Sequence, residues 1–471
     1  MSAPFLALGA REARDRIARR EISPVELTRA SLDAAWESQS SLNAFFEILD
    51  AEAMEAARAA EAMVLNGSPL GAIHGVPFSA KDLISVAGVR YAAGSRTLAD
   101  NVAGLDAPSV ARARAAGGIL IGKTTTSEFG CKAVGDSPLT GITRNPWDLT
   151  KTPGGSSGGA AASVAAGITP FALGTDGGGS IRIPASMTGL AGIKGHFGRV
   201  PVWPVSATPT LAHVGTLARR VEDAVLLLSA VAGYDVRDPY SVAGPVPDMI
   251  GALAGSVEGM RIAWSGTLGY AEPDAEVVKI AREAAYQLKA LGAQVDHVED
   301  VFESDPADIW SSEFYAGVGT RLRPAMETKR DLLDPSVAAV LDEALALELK
   351  DYYSNVFRRY ALRDHVARFF ERYDVLLTPV TPVASLDVGL DKPLRLPDRN
   401  PVNWVFYTYP FNLTGQPAAS VNAGYSSDGM PVGIQVVGRA LGEVDVVRVA
   451  SAIEQVRGDE NRPPRGLPNE Q

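Results

Sequence analysis

The glycine-rich segment of residues 151–183 carries the residues best suited to nucleophilic chemistry. It contains two serine clusters, one within Gly154–Gly159 and one at the end of Gly177–Ser180, and Ser180 follows Ser156 by 24 residues. A serine hydroxyl becomes a nucleophile only when a base takes its proton, and a developing oxyanion needs backbone N–H donors. Because glycine restricts the backbone least, a glycine loop can orient such donors freely. The segment therefore predicts a serine nucleophile beside an oxyanion site.

A candidate base lies upstream in the segment GVPFSAKD, residues 75–82. Its lysine, Lys81, precedes Ser156 by 75 residues. A lysine acts as a base only when it is neutral, so burial or neighbouring charge must lower its pKa from about 10 toward the working pH. The flanking residues 76–80 and 83–84 are apolar enough for burial. The sequence thus predicts a lysine base acting on serine hydroxyls.

These three segments together closely resemble the signature of the amidase signature family. The likeness continues through four further segments and so covers most of the chain: TRNPWD at 143–148, GLAGIK at 189–194, PFNLTGQPA at 410–418 and PVGIQVVG at 431–438. One stretch, residues 195–203 (GHFGRVPVW), departs from the sequence associated with the glutamine-hydrolysing amidotransferase members of that family.

The resemblance implies a role for each of the three residues. Ser180 is expected to be the nucleophile, Ser156 the bridging serine after a cis peptide bond, and Lys81 the base. Lys81 would take the Ser156 proton while Ser156 takes that of Ser180. The Ser157 hydroxyl is then expected to contact the triad residues without belonging to the triad. The oxyanion donors are expected among the backbone N–H groups of Gly177, Gly178, Gly179 and Ser180.

Neighbouring residues are expected to support this site. Arg182 is predicted to be a structural anchor and Asp176 to order the glycine loop, rather than to bind substrate or transfer protons. Gly130, Cys131 and Ser157 are candidates for substrate contact. Cys131 is the only cysteine, which excludes an internal disulfide, and it is expected to be a small buried residue rather than a reactive thiol.

Two other motifs match catalytic patterns by letter. GGILIGKT at 117–124 fits the P-loop pattern, but a strand-like run follows a helical stretch there, whereas a phosphate loop follows a strand. GGSSG at 154–158 fits the nucleophile elbow of α/β-hydrolases, but the preceding residues 147–153 are polar and contain a proline rather than forming a strand. Both alternatives are disfavoured.

The histidines offer no competing chemistry. The chain has five, and none stands in a dyad or metal-ligand spacing, although His196 lies close enough to the 189–194 motif to reach the site. Neither an H-E-x-x-H motif nor a cysteine pair occurs. We therefore expect no metal and no cofactor.

Composition limits the partners. A net charge of −11 and a pI near 5.1 argue against a nucleic-acid surface. The start of the chain lacks a basic leader, and the chain lacks an apolar run of about 18 residues, so we expect a cytoplasmic protein without a membrane segment. The expected partner is a small amide or carbamate, bound by a monomer or homodimer.

Periodicity predicts alternating helices and strands. Ser23–Glu26 forms a capping box that opens a helix to about Glu37, and an alanine-rich helix is predicted over Ala51–Leu65. Strands are predicted at 118–121, 171–173, 260–264, 294–298, 375–377 and 432–437. This alternation predicts an α/β fold with a large mixed central β-sheet covered by helices on both faces, as the resemblance also implies.

We expect residues 1–458 to form one domain and residues 459–471 a polar tail. A helical insertion at 305–373, rich in aromatic residues, is expected to form a substrate cap. The proline-rich loop at 201–209, with Trp203, is a candidate lid, and residues 404–407 (WVFY) are expected to add aromatic side chains to the pocket.

The sequence therefore predicts an amidohydrolase that cleaves carboxamide, anilide or carbamate bonds of apolar or aryl substrates through an acyl-enzyme. The alternative within the same family is the glutamine-hydrolysing component of a tRNA-dependent amidotransferase. A non-catalytic binding protein on this scaffold is disfavoured, because Lys81, Ser156, Ser180 and the glycine loop occur together.

Overall fold

A computed structural model describes residues 6–458 and is built around an extended β-sheet. The strands are β1 Phe45–Ile48, β2 Pro77–Lys81, β3 Ile119–Thr124, β4 Asp136–Ser137, β5 Gly141–Ile142, β6 Phe171–Asp176, β7 Ala191–Lys194, β8 His213–Ala218, β9 Arg261–Trp264, β10 Gln294–His297, β11 Val375–Pro379, β12 Ala418–Tyr425 and β13 Pro431–Gly438. Eleven of them form one sheet in the order β1-β3-β2-β6-β8-β7-β12-β13-β11-β9-β10, and β4 pairs with β5 separately.

The sheet is mixed. Strand β2 is parallel to both β3 and β6, and β9 is parallel to both β10 and β11, whereas the other pairs are antiparallel. All six strands predicted from the sequence are present. The structure adds β1, β2, β7, β8 and β12 to the same sheet, and β2 carries Lys81.

Helices cover both faces of the sheet. They are α1 Ala10–Ala18, α2 Pro24–Leu42, α3 Asp50–Leu65, α4 Pro108–Ala115, α5 Gly158–Ala165, α6 Arg182–Thr188, α7 Val221–Val231, α8 Met249–Ala252, α9 Ala275–Gln287, α10 Ala307–Thr328, α11 Pro335–Leu345, α12 Leu349–Arg372, α13 Pro410–Leu413 and α14 Glu443–Arg457. Along β6, Phe171 and Leu173 pack into the core that contains α7, while Ala172 packs into the core that contains α5. This alternation confirms the predicted sheet with helices on both sides.

The two predicted N-terminal helices are present. The Ser23 hydroxyl accepts from the backbone N–H groups of Val25 at 3.0 Å and Glu26 at 3.3 Å, and Pro24 occupies the first helical position. Helix α2 continues to Leu42, beyond the predicted end, because its buried face continues through Ser38 and Leu42.

Residues 305–373 contain helices α10 to α12, as predicted. Their aromatic residues divide into two groups. Trp310 and Phe314 are buried, whereas Tyr353, Phe357 and Tyr360 on α12 are exposed. The predicted tail at 459–471 lies outside the described residues. None of the helices within residues 6–458 has the length and apolar character needed to cross a membrane.

Helix α5 consists of small residues and packs unusually close to neighbouring backbone. A Cβ at Gly159 would lie 2.3 Å from the Ala44 carbonyl oxygen and 2.5 Å from the Thr125 backbone nitrogen. The helix begins directly after Ser156–Ser157. The close packing therefore fixes the position of the first serine cluster against the sheet.

We predict that Gly159→Ala destabilises the protein, although alanine favours helices, because backbone on both sides leaves no space for the methyl group. The expected loss is about 1–3 kcal/mol in the free energy of unfolding, measured by denaturant titration. Gly104→Ala is the control, since a Cβ there has nothing within 4 Å. Equal stability of the two variants would contradict this packing.

Candidate active site

The site lies where parallel strands end. Lys81 is the last residue of β2, and Thr175 and Asp176 end the adjacent parallel strand β6. Carboxyl ends of neighbouring parallel strands share one edge of a sheet, which brings these side chains together. The Lys81 amine donates to the Ser156 hydroxyl at 2.6 Å and to the Thr175 hydroxyl at 2.9 Å.

The Lys81 amine is fully buried. Its pKa lies well below the ordinary lysine value, because burial removes the solvation of the ammonium form. The Asp176 carboxylate opposes this shift but does not offset it. The electrostatic environment therefore favours a neutral amine that can accept a proton.

Ser156 lies in a loop that leads into α5. The peptide bond between Gly155 and Ser156 is cis, as expected. The next residue, Ser157, ties three segments together: its backbone N–H donates to the Ser180 carbonyl at 3.2 Å, and its hydroxyl donates to the Thr175 carbonyl at 3.2 Å. Ser157 thus holds both serine loops and the end of β6 in one arrangement.

Ser156 and Ser180 line the same cavity, of about 410 Å³. The Ser180 side chain forms no hydrogen bond with any of the residues described by the structure, and it is partly exposed to the cavity. Most of the remaining lining is apolar and includes Leu83, Ile84, Phe129, Trp203 and Phe314. The cavity can therefore present a carbonyl group to Ser180 among apolar side chains.

Asp176 organises the glycine loop before Ser180. Its carboxylate accepts from the backbone N–H groups of Gly179 at 2.8 Å and Ile181 at 3.3 Å. The Gly179 N–H is therefore already used, which corrects the expectation that it is one of four oxyanion donors. Gly177, Gly178 and Ser180 remain as candidates.

Two side chains orient the loop carbonyls. The Trp310 indole N–H donates to the Gly177 carbonyl at 2.8 Å, and the Thr408 hydroxyl donates to the Gly178 carbonyl at 2.6 Å. In a trans peptide the N–H points opposite to the preceding carbonyl, so the Trp310 contact also orients the Gly178 N–H. A Cβ at Gly178 would lie 2.6 Å from the Trp310 ring, which explains why glycine is required there.

Arg182 is a structural anchor, as predicted. Its guanidinium is fully buried and donates to both carboxylate oxygens of Asp176, at 2.9 and 2.8 Å. It also donates to the Thr408 carbonyl and to the side chains of Gln435 and Asn412. The guanidinium holds the pKa of Asp176 far below its ordinary value, so this carboxylate stays ionised.

The three candidates for substrate contact lie in different places. Gly130 lines the cavity, and a Cβ there would lie 3.1 Å from the Ser156 hydroxyl oxygen. Cys131 and Ser157 are fully buried and lie outside the cavity lining. Burial raises the pKa of the Cys131 thiol well above its ordinary value, in agreement with an unreactive buried residue.

The aromatic residues expected in the pocket are only partly there. Trp203 and Phe314 line the cavity. Trp404 and Tyr407 are instead fully buried away from it, where Tyr407 donates to the Gly266 carbonyl at 2.7 Å. The expectation for residues 404–407 was wrong, because a run of aromatic residues in the sequence cannot distinguish a pocket wall from the core beneath it.

Sequence reasoning missed a histidine of the cavity. His213 lines it, with Nδ1 2.8 Å from the Leu211 carbonyl and Nε2 3.3 Å from the Lys194 amine. Burial holds the pKa of His213 well below its ordinary value, so the ring is neutral. His196, the expected histidine, does not line the cavity, and burial lowers its pKa to about 4.

The two disfavoured motifs have structural roles. Residues 119–124 form β3, and Lys123 is buried with its amine 3.1 Å from the Asp82 carboxylate, where no phosphate can reach. Residues 154–158 follow a segment without a strand, unlike a nucleophile elbow. Among residues 6–458, no group of three or more His, Cys, Asp or Glu side chains is placed to hold a metal ion.

Comparison with known proteins agrees with this geometry. The model of the family described as Amidase matches residues 26–447. This chain belongs to the amidase family. It is 34% identical over 460 residues to an acylamidase of Rhodococcus erythropolis, with 96% of this chain and 95% of that protein covered. The amidase is thus a hydrolase of C–N bonds.

Two further relatives indicate the breadth of the family. The chain is 36% identical over 474 residues to a glutamyl-tRNA(Gln) amidotransferase component of Moorella thermoacetica, covering 95% and 96% of the two chains. The crystal structure of a bacterial aryl acylamidase of the amidase signature enzymes superposes with a TM-score of 0.91 at 29% identity, covering 96% of this chain and 97% of that one. The fold is therefore that of the amidase signature enzymes.

Proposed function

We propose that this amidase hydrolyses carboxamide, anilide or carbamate bonds through a triad of Ser180, Ser156 and Lys81. The observation that carries this proposal is the 2.6 Å contact between the buried Lys81 amine and the Ser156 hydroxyl, in a cavity that Ser180 also lines. A buried amine beside a serine is the arrangement that a lysine-driven nucleophile needs.

In the proposed first step, neutral Lys81 takes the Ser156 proton while Ser156 takes that of Ser180. The Ser180 oxygen then bonds to the substrate carbonyl carbon, and the carbonyl oxygen becomes an oxyanion. Candidate donors to it are the backbone N–H groups of Gly177, Gly178 and Ser180, of which each is worth about 10²–10³ in rate at comparable sites.

Collapse of this intermediate breaks the C–N bond. The leaving nitrogen takes a proton from Ser156, which regains one from protonated Lys81, and an acyl-enzyme on Ser180 remains. Water then attacks the acyl carbon through the same relay, so that the acid is released and Ser180 regains its proton. A carbamate cleaved at its C–N bond would follow the same course and release a carbonate half-ester, whereas cleavage at its C–O bond would expel the alcohol and release a carbamic acid; either product then loses carbon dioxide.

The substrate class follows from the lining. Leu83, Ile84, Phe129, Trp203 and Phe314 surround the space in front of Ser180, which supports apolar or aryl substrates. Phe314 belongs to α10, so we propose that the segment α10–α12 caps the substrate space.

A second candidate is a glutamine-hydrolysing component of an amidotransferase, which the 36% identity to the Moorella protein favours. The apolar lining favours the freestanding hydrolase instead, because a free amino acid exposes two charges. Ammonia release from glutamine by the purified chain, compared with aniline release from acetanilide, distinguishes the two functions.

We predict that activity rises with pH through the titration of Lys81. Its pKa lies well below the ordinary lysine value, so the proton-free fraction grows as pH increases and the rate levels off before that value is reached. Lys81→Ala should lower kcat/KM by about 10³-fold or more. Single substitutions of the histidines should cost far less. A folded histidine variant as inactive as Lys81→Ala would contradict a lysine base.

A fluorophosphonate probe should label Ser180 covalently, since the probe reacts with activated serine hydroxyls. Mass spectrometry of the labelled peptide identifies the site. The Ser180→Ala variant should lose both labelling and activity, whereas Ser157→Ala should still be labelled if folded. Labelling at another serine, or full activity of Ser180→Ala, would contradict the assignment.

Aryl amides and aryl carbamates should be better substrates than small charged amides. Burial of a ring against the apolar lining should raise kcat/KM for acetanilide and phenyl carbamates at least about tenfold over glutamine and malonamate. The measurement is steady-state kinetics on the purified enzyme. Higher kcat/KM for the small charged amides would contradict a cavity that selects apolar or aryl substrates.

A further inference from the structure

A second hollow adjoins the catalytic cavity. It has a volume of about 590 Å³ and lies between the loop Ser206–Thr210 and helices α10 to α12. Four residues line both spaces: Ser206, Ala207, Thr208 and Arg321. A ligand at Ser180 that is long enough to reach the second hollow would pass these residues.

The second hollow contains positive charge without a matching carboxylate. Arg321 and Arg323 both line it, and neither forms an ion pair with any acidic residue between 6 and 458. The acidic residue of the lining is already neutralised, because Glu313 is bonded to Arg359.

Arg321 is held in place at the junction. One of its terminal nitrogens donates to the Val205 carbonyl at 2.6 Å, which fixes the guanidinium beside the Trp203 loop. A guanidinium has five N–H donors, so others remain for a ligand. Its charge also acts on the Tyr91 hydroxyl of the catalytic cavity, where it opposes the rise in pKa that burial causes.

We propose that this second hollow is a subsite for an anionic group of the substrate, a carboxylate above all, and that Arg321 recognises it. The planar fork of a guanidinium matches a carboxylate in two parallel hydrogen bonds. Because most of the catalytic cavity lining is apolar, the preferred substrate joins its amide to its carboxylate through an apolar spacer. This inference rests on the proposed amidase reaction, whose substrates it narrows.

The test uses substrates matched except for the carboxylate. On the acyl side, suberic acid monoanilide is compared with octananilide, and on the amine side, 4-(4-acetamidophenyl)butyrate with 4-butylacetanilide. We expect the acid of at least one pair to have a KM about tenfold lower than its neutral partner, with the difference shrinking at high salt. Arg321→Met should raise the KM of the acid more than that of its neutral partner and so abolish the difference, and Arg321→Lys should retain part of it.

Arg144→Met is the matched control, since Arg144 also donates to a loop carbonyl, that of Leu149, but lies outside both cavities. It should keep the carboxylate preference. Loss of activity on both members of a pair in Arg321→Met, or no preference in either pair, overturns the subsite.

A binding measurement tests the anionic subsite independently of the proposed hydrolysis. The same pairs are titrated calorimetrically into Ser180→Ala protein, which needs no turnover. A carboxylate preference in binding without any turnover by the native enzyme would refute the proposed reaction and keep the subsite. Turnover of the neutral anilides without a carboxylate preference in kinetics or binding would refute the subsite alone.

Discussion

The arrangement of the site depends on one buried amine. Lys81 stands at the end of β2 with no exposed surface, and an ammonium ion there would lose its solvation. The protein supplies two hydroxyl partners to this amine, Ser156 and Thr175, rather than a carboxylate. Hydroxyls stabilise the charged form of an amine less than a carboxylate does, so burial prevails and the environment favours neutral Lys81.

The Asp176 carboxylate opposes the lowered pKa of Lys81 without offsetting it. Asp176 raises the pKa of Lys81, but the Arg182 guanidinium bonds both of its oxygens. The Asp176 carboxylate therefore accepts its hydrogen bonds from Arg182 and from the backbone N–H groups of the glycine loop. A buried ion pair of this kind is costly to break, because loss of one partner leaves an uncompensated charge, about 3–5 kcal/mol in comparable proteins. Asp176 therefore affects both the pKa of Lys81 and the conformation of the glycine loop.

The sequence predicted individual elements and motifs better than the contacts between segments that are distant in the chain. Periodicity, composition and motif spacing predicted six of the central strands, the helices within residues 305–373 and the anchoring role of Arg182. Strand β2 was missed because its sequence, PFSAK, begins with proline and has none of the β-branched residues that mark most of the predicted strands. His213 and Arg321 were missed because their neighbours in space come from distant segments, and no local pattern reports such contacts.

The division of the α10–α12 aromatics shows how substrate selection and catalysis are connected in this fold. Phe314 lines the cavity, while Trp310, one turn earlier on the same helix, bonds the Gly177 carbonyl and stacks on Phe314 with ring centroids 4.6 Å apart. A substrate that displaces Phe314 therefore pushes on the residue that orients the Gly178 N–H. In the proposed mechanism the Gly178 N–H is a candidate oxyanion donor that must be aligned to be effective, so substrate fit on this helix would affect the transition state as well as binding. Helix α10 thus supports the glycine loop, and the sequence cannot vary at Trp310 as freely as at the exposed Tyr353 or Phe357.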